Sequence, residues 1–530
     1  MNPKLPSWLP LVVAAIGLGV GGSAFAAADP ECPPLEDELA ESEYLRALSL
    51  DLRGVPPTDA EYEAIASGAV AQDFIAEWMD TPDFAERVVR HHRALLWPNV
   101  SDIRLLSNRQ RLITDGGIYY RYLVAPNYRG GPVSCGDFEA SYDEDGEIVT
   151  YEQEDGTIRE GWVWVEPYWA PGTEVKVCAF EAQEAHISPL GTECDTYDSR
   201  YDPYCGCGPN LAWCDTPTLG HVQEYGVQAP VHAALAGDVE HRIAHVIQND
   251  LSYLEILTGR TGFVNGPLAH FYRYQLHAPA HVRFNEVPVD PEILPDLAYT
   301  DVDTWVPVDL GEEQSGILTS PMFLMKFQTR RARANRFYTA FLCQPFQPPD
   351  GGVELVDDPN PTADLTQRTG CQYCHALLEP AGAHWGRWSE YGAGYLSPDE
   401  GFPTYNPECA WCAETGAPCS IECRTYYQVD PISSEEEPYV GTLLSYQFLK
   451  GRYTHHVEEG PKALVAKTVA DGRLQQCVAK TTAEWLLGRE LVTEEQPWVE
   501  ALAARFVRTD FDYKELVEDI VTSEPYRRAR

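Results

Sequence analysis

Basic residues and methionine are scarce in this sequence. Against 81 aspartates and glutamates stand 39 lysines and arginines, a formal net charge of −42 over 530 residues. Such a field repels polyanions, which argues against nucleic acid and anionic membrane as partners; a solubility or salt-adapted surface is the better reading of the charge, and a docking face for a basic redox partner the alternative. Only four methionines occur, and none follows Met325. Long apolar runs are also missing. After LPLVVAAIGLGV, from Leu9 to Val20, nothing approaches the roughly 20 apolar residues that a bilayer span needs, so the mature chain is expected to have no membrane span. No phosphate-binding glycine loop, GxSxG or HExxH is present, nor any internal repeat of fixed period.

Cysteine, by contrast, is abundant, with fifteen residues. Residues 1–28 have the parts of a secretory signal: Lys4, the apolar run, and small residues in SAFAAADP. The expected location is therefore the periplasm, the cell surface or the medium, where disulfides persist. Five cysteines fall at 178–214 in polar sequence that has little apolar material for a core, so cross-links are expected there. Four more fall at 409–423, where disulfides are the better reading and a zinc site the alternative.

The fold class is read as mainly α: a multi-module helical protein with an inserted small β-meander and two cysteine-rich loop segments. After the signal, residues 29–127 form an N-terminal helical module, in which Thr58 and Thr81 stand at expected N-caps. Residues 128–227 form a β-rich and cysteine-rich insertion, whose alternating pattern carries two Asp-Gly turns. A central helical module spans 228–310, a module containing CxxCH spans 311–460, and a C-terminal helical module closes the chain at 461–530. Asp143–Glu147 looks like the start of a calcium loop, but its glycine is misplaced, and a hairpin turn is the better reading.

The motif Cys371-Gln372-Tyr373-Cys374-His375 carries the chemistry. Two thiols three residues apart reach the two vinyl groups of one porphyrin, and the next histidine approaches iron from the same side. One covalent haem c on Cys371 and Cys374 is the expected cofactor, with His375 as proximal iron ligand. That leaves thirteen cysteines, an odd number. The alternatives are a structural disulfide or zinc pair beside an incidental histidine, and a thioredoxin-like redox pair, although the βαβ context of the latter is missing. With no methionine downstream, the distal candidates are Met325, His455 or His456, with Met322 and His384 behind them. An open sixth position, suited to ligand or peroxide chemistry, is equally compatible.

Several segments together resemble an exported, multi-domain family of planctomycete and myxobacterial type, built from unknown-function modules around a cytochrome c-like CxxCH module. YLRALSLDLRGVPPTDAEYEAI resembles its leading helical module, and NDLSYLEILTGRTGFVNGPLAHFY a central one. GILTSPMFLMKFQTRRARANRFYTAFLCQPFQPP followed by CQYCHALLEPAGAHWGRWSEYGAGY is similar to the cytochrome-like module, with Glu379 in place of its aspartate before Pro380 and Gly382. AEWLLGRELVTEEQPWVEALAARF and YKELVEDIVTSEPYRR resemble the terminal module. The resemblance implies haem at Cys371, Cys374 and His375, and a disulfide between Cys343 and Cys477. It names no substrate.

Two functions follow as expectations. The first is an exported monohaem c-type protein that passes single electrons, alone or as the redox arm of an oxidoreductase, with Trp385 and Trp388 lining the haem edge and a basic redox partner. The second is a disulfide-braced binding or scaffold protein of the cell envelope in which CxxCH is structural. There Trp162, Trp164 and Tyr168 either present an aromatic face or form the insertion's own core.

Overall fold

The computed structural model describes residues 38–98, 103–216, 226–276, 289–346, 352 and 361–528. The signal reading at 1–28 and Cys32 lie outside the described residues. Helices dominate, and the strands are short and form small sheets. No helix among the described residues is long and apolar enough to cross a membrane.

Local sequence sets the N-terminal helices. Thr58 and Thr81 cap the helices Asp59–Ala66 and Pro82–Leu96, each side chain accepting a backbone N–H one turn in, from Glu61 and Phe84. Tyr44, Leu45, Leu48 and Leu52 of the helix Glu41–Leu52 are buried, as are Phe84, Val88 and Leu96 of the helix Pro82–Leu96. Full burial of each such side chain stabilises the fold by roughly 1.5–3 kcal/mol.

The helix Glu41–Leu52 meets the closing helices. The Tyr44 hydroxyl donates to the Val521 carbonyl at 2.8 Å, and the Tyr526 hydroxyl to Asp51 at 2.6 Å. One large core runs through the N-terminal helices, the long helix Gln228–Gln248, the segment 317–342 and the closing helices Arg473–Leu487, Gln496–Arg508 and Tyr513–Val521.

The insertion is built differently from a run of consecutive hairpins. Asp155-Gly156 turns a two-residue hairpin, Tyr151–Glu152 against Ile158–Arg159, and Asp145-Gly146 lies inside a turn closed by the Tyr142 to Ile148 bridge. Asp143 accepts the backbone N–H of Asp145 and Glu147, as a hairpin turn requires. The principal sheet has the order Leu112–Asp115, Ile118–Arg121, Val175–Cys178, Trp162–Val165, and its middle pair is parallel. Three of its strands thus come from outside the alternating stretch at 134–169, which supplies only Trp162–Val165. Behind the sheet Arg129, fully buried, is clasped by Glu160 and Glu181, and a charge so placed is tolerated only because both carboxylates answer it.

Trp162 is buried while Trp164 is half-exposed, and the Lys176 ammonium lies 3.9 Å from the Trp162 ring. Tyr168 stacks on His270 at 3.9 Å inside the protein. These three aromatics therefore form internal contacts and do not present a shared outward face.

Candidate functional site

Gly370 adopts a φ of +82°, a left-handed turn that glycine takes freely, and the chain then enters the helix Gln372–Gly382. Cys371 is the last residue before this motif helix and already has helical angles. Its carbonyl accepts the His375 N–H at 3.1 Å, so Cys371 and His375 stack one turn apart.

At about 100° per residue, Cys371, Cys374, His375, Leu378 and Glu379 fall on one side of the helix. That side is half-buried, with Leu378 packed on the main core, whereas Gln372, Tyr373, Ala376 and Leu377 are exposed. The structure thus brings the two thiols and the imidazole together on one surface.

The other cysteines are all engaged among the described residues. Cys135–Cys178, Cys194–Cys205 and Cys207–Cys214 brace the insertion, and Cys409–Cys423 with Cys412–Cys419 cross-link the second cluster. Those pairings leave the second cluster no thiolate for zinc. Cys343–Cys477 joins the segment before the motif to the helix Arg473–Leu487, the pairing the family resemblance implies. Cys371 and Cys374 alone are free among the described residues.

His375 donates its Nδ1–H to Glu379 Oε1 at 2.6 Å, one turn along the same helix. Arg331 Nε, on the helix Arg330–Phe341, donates to the same oxygen at 2.6 Å. In the sequence Glu379 stands out only as a replacement for the aspartate of the related module. Its i, i+4 spacing from His375 was the signal that could have shown the contact.

The frame around the motif helix is rigid. Arg333 is fully buried, and its guanidinium donates to five carbonyls, those of Leu324, Phe327, Trp388, Ser389 and Gly392. It thereby pins the chain that follows the motif to the helix Arg330–Phe341. A Cβ at Gly382 would lie 3.3 Å from the Arg330 backbone, so the two helices are in close contact there. Trp385 is fully buried, donates to the Leu318 carbonyl at 2.9 Å and packs near Phe323 and Phe337. Trp388 is also buried, against Tyr395. Both tryptophans serve the protein core rather than an open edge.

Met325 is buried in the main core on the helix Pro321–Lys326, as is Met322. His456 donates its Nδ1–H to the Pro380 carbonyl at 2.9 Å and stacks on His384 at 4.2 Å. His384 and His456 line a cavity of about 190 Å³ with Ala376, Leu377 and Pro380, the side of the motif helix turned away from the thiols. Burial pushes the His384 imidazole down to about 3, so it is neutral at ordinary pH. His455, more than half exposed, contacts His456, and with Glu459 the pair places three ligand atoms within 4.8 Å of one another. His456 thus lies on the side of the motif helix turned away from Cys371, Cys374 and His375. A second cavity, of about 200 Å³, lies beside Glu379 and is walled by Arg330, Arg331, Asp364 and Phe448.

Residues 459–526 match the model of a family described as a protein of unknown function, DUF1585. The match covers the C-terminal helices from within His455–Ala470 to Glu524–Arg528. No curated protein and no solved structure matches the chain.

Proposed function

We propose that the protein is an exported monohaem c-type cytochrome-like protein, working in single-electron transfer or as the redox arm of an oxidoreductase. One observation carries the reading. Twelve described cysteines are paired in six disulfides, while the two at i and i+3 at the start of the motif helix are free and are followed at once by a histidine.

Among the described residues the chain cross-links every other cysteine, which sets these two apart for another bond. The donor set fits a haem: Cys371 and Cys374 would hold the porphyrin by thioethers, and His375 would offer Nε2 to the iron from the same helix surface. When bound, the group supplies a one-electron couple. Met325, His455 and His456 are the candidates for the distal position, which an open site would leave to an exogenous ligand. Six disulfides and the pattern of residues 1–28 agree with placement outside the cytoplasm, in the periplasm, on the cell surface or in the medium. The affiliation with the planctomycete and myxobacterial module family belongs to this same proposal.

The test is a spectrum. Protein exported from a host with a c-type maturation system is expected to be red, with a pyridine haemochrome of one c-type haem per chain. That haem should be lost in the double variant Cys371→Ala/Cys374→Ala while the protein stays folded by circular dichroism. A colourless, folded wild type would overturn the reading and leave a disulfide-braced envelope scaffold.

A further inference from the structure

The contact between Glu379 and His375 is short, half-buried and doubly anchored. The His375 and Glu379 side chains are 21% and 18% exposed, and Arg331, holding the same carboxylate oxygen, is 47% exposed. An imidazole that gives its Nδ1 proton to a carboxylate keeps its lone pair on Nε2, the tautomer required of a metal ligand that reaches outward. The carboxylate also makes the ring a stronger donor, because it takes up part of the Nδ1 proton's charge.

A stronger donor stabilises ferric over ferrous iron, and second-shell hydrogen bonding of this kind is one of the recognised levers on a haem potential. Arg331 works against it. Its guanidinium draws charge from Glu379 and so weakens the pull on the His375 proton.

Resting on the haem reading above, we infer that Glu379 is a positioning residue that orients His375 through its Nδ1–H and lowers the reduction potential of the bound iron, with Arg331 setting the extent. The couple is a single electron added to ferric iron by a one-electron donor, with no bond made or broken. The geometry also explains why a carboxylate and an arginine from a neighbouring helix meet at this point. A bridge that merely tied the two helices together would have no need of the imidazole.

The two substitutions are expected to move the potential in opposite directions. The measurement is a spectroelectrochemical titration of the exported, haem-loaded chain, with haem per chain fixed by pyridine haemochrome. Glu379→Gln should make reduction about tenfold more favourable, which is 59 mV for a one-electron couple. Arg331→Gln should shift it the other way, and Glu379→Asp should fall between Gln and wild type. Unchanged potentials in both Gln variants, at full haem content, would overturn the inference and leave the cytochrome reading standing. Should Glu379→Gln take up no haem, Arg331→Gln decides alone: a lowered potential sustains the inference and an unmoved one overturns it. A wild type without haem would overturn both.

Discussion

Buried charge and buried imidazoles set the stability of this protein at the scale of single residues. Burial lowers the Arg333 pKa to about 9, with the Glu390 carboxylate opposing the shift, so the guanidinium keeps its proton at neutral pH, where it faces five carbonyls. Arg333→Met would leave those acceptors without donors, at about 3 kcal/mol or more, and urea unfolding should show the loss. Arg333→Lys, with three donors in place of five, should recover part of it. His92 gives an acid-side prediction. It is buried, bonded through Nδ1 to the Val88 carbonyl and through Nε2 to the Tyr253 hydroxyl, and burial holds it down at about 4. Below about 6.5 the unfolded chain takes up a proton that the folded chain refuses. His92 therefore removes about 1.4 kcal/mol of stability per pH unit as pH falls from about 6.5 towards 4. Asp215, pushed up by burial to about 6, acts in the opposite sense, so the test compares variants. Between pH 7 and pH 5, His92→Gln should lose about 2 kcal/mol less stability than wild type.

Among the secondary-structure elements, the helices that cap and bury themselves locally were readable from sequence. Thr58 and Thr81 cap where they stand, and the apolar spacing of 41–96 and 461–526 marks the helices found there. The principal sheet was not readable, because its parallel pair joins Ile118 and Tyr119 to Lys176 and Val177, far apart in the chain, and periodicity carries no pairing information. The site divides in the same way. Cys371, Cys374 and His375 are contiguous and legible, and Glu379 is one turn away. Arg331 is brought in by helix packing, which the sequence does not encode locally. The Cys343–Cys477 bridge is a test at this scale. It ties the end of the helix Arg330–Phe341 to the helix Arg473–Leu487 across 134 residues, so Cys343→Ala/Cys477→Ala should cost about 2–5 kcal/mol, read as a lowered denaturation midpoint.

For the whole molecule, the net charge of −42 implies how a redox partner would be met. Electron exchange of the haem-loaded protein with a small basic cytochrome should slow by about tenfold or more between 10 mM and 150 mM salt, as the screening length contracts from about 30 Å to about 8 Å. Stopped-flow mixing would show it, and a rate indifferent to salt would remove charge from the account of docking.

The Cys343–Cys477 bond has one more consequence, which is topological. It closes a covalent ring that contains the motif helix, with Cys409–Cys423 and Cys412–Cys419 nested inside. A protease that cuts once anywhere in that ring frees no fragment. The nicked chain runs as one band until a reductant is added, so the motif stays tethered to the C-terminal helices through damage that would detach it from an unbridged chain.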